Sequence, residues 1–340
     1  MKKISMSKIT ELFAAINATQ SVYAPIEKAN QVNFAKWEDG AALRLDELKT
    51  VKSAKDLFFP QVEDIVKFTR HEKNITIAPA EGCNEKFVVF GVRGCDCKSF
   101  DILDSVFLAQ PVDTYYQARR VNGTVVTLAC GEPEESCFCK VFGVDATAPK
   151  GDVTTWIVED ELFWQANTEK GEALTEAVAA LLEDADTAKV EAQQAATKEI
   201  IEKLPYSNLS LEGFNGEAMM EKFNSEKWAE LSESCIACGT CTFVCPTCQC
   251  YDVRDYDNGH GIQRFRCWDS CMRSDFTLMA HGNNRNSQLE RFRQRFMHKL
   301  VYFPANNNGE YSCVGCGRCV NKCPISMNIV KVMKTIGGKK

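Results

Sequence analysis

Residues 235–246 read Cys235-Ile-Ala-Cys238-Gly-Thr-Cys241-Thr-Phe-Val-Cys245-Pro246, and residues 313–324 repeat the pattern as Cys313-Val-Gly-Cys316-Gly-Arg-Cys319-Val-Asn-Lys-Cys323-Pro324. Each run is C-x2-C-x2-C-x3-C-P, the bacterial pattern for a pair of [4Fe–4S] cubes in which the fourth cysteine of each run serves the other cluster. Three thiolates two residues apart wrap three corners of one cube, and the turn at the proline carries the fourth away. The expected ligand sets are Cys235, Cys238, Cys241 and Cys323 for one cluster, and Cys313, Cys316, Cys319 and Cys245 for its neighbour. Gly239, Gly315 and Gly317 suit a backbone that must bring its amides close to sulfur. Zinc knuckles are the competing reading. Zinc takes four ligands, usually as two separated C-x2-C pairs, and does not call for eight in this repeated order.

The rest of the composition bounds the setting. A chain of 340 residues is long enough for two domains with separate cores. Its 45% hydrophobic and 25% charged residues are ordinary for a globular protein. A net charge of −6 argues against nucleic acid as a partner, since phosphate-binding domains are basic. No apolar run approaches the roughly 18 residues of a membrane span, and the densest, Phe87 to Val92, is strand-sized. Met1-Lys2-Lys3 is followed by polar residues, not by the apolar core of a signal peptide. Eighteen cysteines in such a chain point to reduced thiols and metal ligation in a well-reduced cytoplasm, not to disulfides.

Hydrophobic spacing predicts an amphipathic helix over Ser5 to Ala18, with Ile9, Leu12, Phe13 and Ile16 on one face. Short strands are expected over Ser21 to Ile26 and Ala41 to Leu45. A helix is expected over Val62 to Thr69, with Glu63 and Asp64 in its first turn. Phe87 to Val92 and Thr124 to Leu128 read as strands buried on both faces. Each runs into a cysteine loop, Cys95-Asp-Cys97 and Cys130 to Cys139. Helices are expected from Lys98 to about Leu108 and over Asp113 to Arg120. Val153 to Val158 and Leu162 to Trp164 complete the strands, with a turn at Glu159-Asp160. Alternating strands and helices predict an α/β domain over residues 1–168. The Ala-, Glu-, Lys- and Gln-rich stretch that follows favours helix and is read as a connector over 169–210. Residues 211–340 are expected to form a mainly helical dicluster domain. It opens with a helix over Glu217 to Ser234, and a capping box at Ser287 to Glu290 starts another that runs to about Tyr302.

Several stretches recur together in one known family: Gly91-Val-Arg-Gly-Cys95-Asp96, Leu103-Asp-Ser-Val-Phe107, Glu132-Pro133, Ser136-Cys-Phe-Cys139, Cys245-Pro-Thr-Cys248-Gln-Cys250, Trp268-Asp-Ser-Cys271 and Arg291-Phe-Arg-Gln-Arg295. In this order they resemble the iron–sulfur subunit family shared by anaerobic sulfite reductase and the cytoplasmic nickel–iron (sulf)hydrogenases, in which it is the beta subunit. The resemblance covers nearly the whole chain. It implies an α-helical ferredoxin domain in the C-terminal half, and a multidomain α+β protein overall. It also implies a non-catalytic electron-transfer subunit of an oxidoreductase complex. Such a subunit works between a flavoprotein subunit that handles NAD(P)H and a separate catalytic redox subunit. Two positions depart from the pattern, Cys97 and Cys267.

The N-terminal domain holds Cys83, Cys95, Cys97, Cys130, Cys137 and Cys139. If the two buried strands are parallel, Cys95 and Cys130 emerge at one sheet edge, where α/β sheets gather ligands. Cys95, Cys130, Cys137 and Cys139 match the family pattern, and four thiolates suffice for a third [4Fe–4S] cluster. Zinc, or buried free cysteines without metal, are the other readings. Cys248, Cys250, Cys267 and Cys271 form a further quartet that could close a metal site or merely pack beside Cys245. Arg285, Arg291, Arg293, Arg295, His298 and Lys299 are a basic group in an acidic chain, read as facing anionic clusters or an acidic partner. No G-x-G-x-x-G follows a strand, so flavin and NAD(P)H are expected on another polypeptide. His71, His260 and His281 have no partner motif. Two rival functions remain at this level: a self-contained reductase with its substrate site at the Cys95/Cys130 edge, and a zinc-stabilised interaction module.

Overall fold

The computed structural model describes residues 1–257, 259 and 261–337; His260 lies outside them, as does the side chain of His71. An eight-stranded mixed sheet forms the N-terminal body. Its strands are β1 (Lys2–Ser5), β2 (Ser21–Lys28), β3 (Gln31–Lys36), then β6 (Phe87–Val92), β7 (Gly123–Leu128), β8 (Val153–Val158), β9 (Glu161–Ala166) and β10 (Glu183–Asp184). Between β3 and β6 the chain leaves to make β4 (Val62–His71) and β5 (Asn74–Pro79). The spatial order is β10-β1-β9-β8-β7-β6-β2-β3. The four inner strands β2, β6, β7 and β8 run parallel, and the others are antiparallel. Every residue of β6 and β7 is buried, as their unbroken apolar runs require.

Helix Ile9–Asn17 covers one face through Leu12, Phe13 and Ile16. The other face is an aromatic layer of Phe58, Phe59, Phe100, Phe107 and Tyr116 under helices Gly94–Phe107 and Thr114–Asn122. Asp113 caps the second of these by accepting from Tyr116 N at 2.9 Å.

The C-terminal half is chiefly helical but carries the hairpin β11 (Tyr251–Asp257) and β12 (Ile262–Trp268). This hairpin joins β4 and β5 in a four-stranded sheet, tying the two halves of the chain together. Helix Gln288–Met297 starts with the expected capping box, Ser287 and Glu290 bonding reciprocally. It continues as a π-helical turn, His298–Tyr302. Phe292, Phe296 and Leu300 meet Trp228, Leu231, Val332 and Met333 in a separate core.

Four local readings need correction. Ala41 to Leu45 makes only an isolated bridge, Ile26 to Leu43. The antiparallel neighbour of β2 is β3, reached through Ala29 and Asn30 at φ 51° and 60°. That two-residue turn lacks the Asn-Gly signature that would have announced it. Val62 to Thr69 is a strand, not a helix. It pairs with β5 on one side and β12 on the other, and Glu63 is buried against Arg266 of β12 instead of serving a helix end. The stretch 169–210 is helical as expected and most of helix Ala188–Glu202 is exposed, but it also packs on the N-terminal body. Helix Ala188–Glu202 buries Val190 against Trp156 and Phe163, and Thr197 Oγ1 donates to Gly131 O at 3.0 Å. Finally, Glu217 to Ser234 is two short helices, Met219–Phe223 and Lys227–Glu233.

Arg318 crosses between the halves. It is 3% exposed, pairs with the fully buried Asp96 and donates to Thr50 O at 2.9 Å. Asp96→Ala should strand that guanidinium and cost about 3–5 kcal/mol. Equilibrium denaturation would measure the loss, and a cost under about 1 kcal/mol would mean the pair does not join the halves.

Candidate metal centres

The two cysteine runs fold alike. Each ends its first loop with a glycine in the left-handed region, Gly239 at φ 76° and Gly317 at φ 77°, and each glycine opens a one-turn helix, Thr240–Phe243 or Arg318–Asn321. The residue two positions earlier is also left-handed in both, Ala237 at φ 52° and Gly315 at φ 60°. Only the second run needs glycine there for space. A Cβ at Gly315 would stand 2.4 Å from Phe138 O, and one at Gly317 would stand 2.4 Å from Ser136 O. The Cys137 loop of the N-terminal body is pressed onto this run, and Phe138 N donates to Gly315 O at 2.9 Å.

Three hollows open among the cysteines. The outer one is lined by Cys235, Cys238, Cys241 and Cys323. The central one is lined by Cys245, Cys313, Cys316 and Cys319. The N-terminal one is lined by Cys95, Cys130, Cys137 and Cys139, with Cys316 reaching its wall. These are the residues set together in the sequence, by spacing for the two C-terminal sets and by the family resemblance for Cys95, Cys130, Cys137 and Cys139. β6 and β7 are parallel, so Cys95 and Cys130 do leave the sheet at one edge. Cys95 sits in the first turn of helix Gly94–Phe107, which begins four residues earlier than its pattern suggested.

The hollows adjoin one another. Arg295 lines both the outer and the central one; Phe138, Gly315 and Cys316 line both the central and the N-terminal one. This sharing sets a linear order with the Cys245/Cys313 set in the middle.

The donor set fits an anionic group in each hollow. Each hollow presents four thiols, the number that one [4Fe–4S] cube takes. Buried cations add a second observation. Arg266 and Arg318 are buried with carboxylate partners, Glu63 and Asp96. Lys55, Arg93, Arg295 and Lys299 are equally buried and have no carboxylate within ion-pair distance among the described residues. Arg93 and Lys299 line hollows, and Lys55 Nζ donates to Cys245 O at 3.1 Å and Cys248 O at 2.8 Å. Arg295 Nη2 donates to Cys241 O at 2.7 Å, while its Nε and Nη1 have no partner. A buried guanidinium edge left open toward sulfur requires negative charge in front of it.

Burial dominates the ionisation of these groups. It pushes the Cys95, Cys130 and Cys316 thiols up, and those of Cys139 and Cys319 to about 12. Burial pulls the Lys55 ammonium down to about 8, the nearby Cys248 and Cys245 opposing it. For Lys299 burial acts downward too, but the Cys245 and Cys248 sulfurs outweigh it and leave the ammonium raised. Without metal the buried Cys95, Cys130, Cys139, Cys316 and Cys319 thiols favour the protonated form, so loading them must release protons, whereas hydrogen bonding from Cys248 holds the Cys245 thiol low.

The remaining cysteines line none of these hollows. The thiol of Cys248 meets that of Cys245, and Cys250 meets Cys271. Cys267 lies on β12 opposite Asp252, apart from the other three. Cys97 bonds to Lys150 O at 3.2 Å, and Cys83 to Glu85 O at 3.6 Å. Of the basic group, Arg295 and Lys299 face the hollows. Arg293 instead covers the Phe223 ring, and Arg291 bonds to Arg285 O. Lys55 was invisible in the sequence, where it sits alone between Ala54 and Asp56 with no motif around it.

Comparison with known proteins agrees with this geometry. Residues 234–327 match the family described as a 4Fe-4S dicluster domain. Subunit beta of sulfhydrogenase 2 from Pyrococcus furiosus is 32% identical over 339 residues, spanning 98% of this chain and 97% of that protein. No solved structure matches. Among the described residues no helix is long and apolar enough to cross a membrane. With its dicluster domain and a full-length relative at that identity, the chain belongs to the iron–sulfur subunit family of the sulfhydrogenase beta subunits.

Proposed function

We propose that this chain is the electron relay of a cytoplasmic, hydrogenase-like or sulfite-reductase-like complex linked to NAD(P)H. In it three [4Fe–4S] clusters stand in line between a catalytic redox subunit and a flavoprotein subunit. The observation that carries the proposal is the sharing of wall residues by three adjacent four-thiol hollows. The assigned ligands are Cys235, Cys238, Cys241 and Cys323 at one end, Cys245, Cys313, Cys316 and Cys319 in the middle, and Cys95, Cys130, Cys137 and Cys139 at the other end. The full-length likeness to a sulfhydrogenase subunit supports membership of such a complex. Bound there, each cluster supplies storage and release of one electron at a time.

The chain's own residues isolate and position the sites. Ile201 and Leu204 cover the N-terminal hollow, which favours a buried relay station over a substrate mouth. The outer hollow comes nearest to solvent, for Cys238 is exposed and Ile236 is 62% exposed. That edge is where a partner subunit would exchange electrons with the chain. The absence of a dinucleotide fingerprint supports placing flavin on the partner. Under this proposal residues 1–168 bear the N-terminal site, 169–210 brace it, and 211–340 hold the other two.

Iron content tests the count. Anaerobically purified full-length chain should hold about twelve irons if there are three cubes, and about eight if there are two. A colourless protein containing zinc would overturn the proposal.

A further inference from the structure

We infer that Lys299, Arg295 and Lys55 hold the central cluster at a higher reduction potential than either outer one, so that an electron on the relay rests in the middle. The inference depends on the ligand assignment proposed above. It concerns what the three cations do there, which that assignment leaves open.

The cations are unevenly distributed along the line. Arg295 and Lys299 both line the central hollow, and Lys55 bonds to the carbonyl of Cys245, one of its assigned ligands. The outer hollow is lined by Arg295 alone of the three. At the N-terminal hollow Arg93 is the one lining cation without a carboxylate partner, against two at the central hollow, since Lys49 is neutralised by Glu134 at 2.9 Å and Lys140 pairs with Glu202. Nearby Arg318 is cancelled by Asp96.

The fold commits these side chains to that place. Arg295 and Lys299 are four residues apart, on one face of a continuous helical run. Lys299 stands in the π-helical turn, a helix irregularity that recurs at functional sites. Its ammonium donates to Thr247 Oγ1 at 2.8 Å and Ser312 O at 2.9 Å, both beside assigned ligands. Lys55 lies 3.6 Å over the Trp268 ring, which adds attraction without cancelling the charge. None of the three can turn away to solvent, since Lys55, Arg295 and Lys299 are only 2–3% exposed.

Reduction adds one negative charge to a cluster, and a fixed cation close by in a medium of low polarity favours that added charge. Nearby charge and hydrogen bonds to sulfur are the levers that set such potentials. The hollow with the most uncompensated cations should therefore be reduced first.

The test is a redox titration of full-length protein, followed by electron paramagnetic resonance. Cys313→Ser identifies which signal belongs to the central site. In Lys299→Met that signal should need a potential lower by at least one tenfold step in the reduction equilibrium, about 59 mV for one electron. The other midpoints should move less, and Lys299→Arg, which keeps the charge, should stay near the parent value. Arg295→Gln and Arg295→Lys form a second pair, read in the same way should Lys299→Met fail to retain its iron. Intact clusters with an unmoved central midpoint in both charge-removing variants would overturn the inference while leaving the ligand assignment standing. Should Cys313→Ser remove no cluster signal, the assignment would fall instead, and the inference with it.

Discussion

Cys323→Ser is expected to abolish the cluster assigned to Cys235, Cys238 and Cys241, some eighty residues earlier in the chain, while leaving the cluster of its own run. The hollow it lines contains the first three cysteines of the earlier run and none of Cys313, Cys316 or Cys319. Reciprocally, Cys245 lines the central hollow with those three. The short helices that follow Gly239 and Gly317 pack against each other, so each run's fourth cysteine is delivered across to its neighbour's site. Iron should fall by about four per chain. Resonance spectra should lose the outer signal and retain the one removed by Cys313→Ser. Loss confined to the central signal would refute crosswise ligation and put all four cysteines of each run on one cube.

Cys137→Ser is the second large effect, expected to remove the N-terminal cluster and also to loosen the contact between the two halves. Cys137 and Cys139 flank Phe138, whose amide bonds to Gly315 O and whose ring lies in the C-terminal core. A cluster held there would fix the loop that the second cysteine run packs upon, since metal binding and folding are coupled in such sites. The full chain should lose about four of about twelve irons and become easier to cleave between the halves. It is the right protein for the test. A fragment ending near Thr168 would lack Ile201, Leu204, Gly315 and Cys316, all of which line this hollow. Unchanged iron in Cys137→Ser would rule the third cluster out.

The two C-terminal cysteine runs were legible because their chemistry is local in sequence. A C-x2-C-x2-C-x3-C-P run states its ligand number and the crossing of its fourth residue without reference to the fold. β6 and β7 were legible for a similar reason, as continuous apolar runs have few places to go except between two layers. The capping box at Ser287 is likewise a local contract between a hydroxyl and an amide three residues on.

What stayed hidden depended on partners far along the chain. Val62 to His71 has acidic residues that suit a helix start, yet Arg266, about two hundred positions later, buries Glu63 and makes the segment a strand. Residues 169–210 have a helical composition that says nothing of what they cover, and it is Thr197 bonding to Gly131 that sets them over the Cys130 loop. Lys55 is one lysine among forty basic residues until tertiary folding removes it from water beside Cys245 and Cys248. The sequence by itself pointed to the two C-terminal cysteine sets and to the buried strands, since spacing and hydrophobic runs act over a few residues, whereas the N-terminal set came from the family resemblance. Only the tertiary structure decided the order of the three sites and the charges around each, because burial and electrostatic fields are properties of the assembled interior.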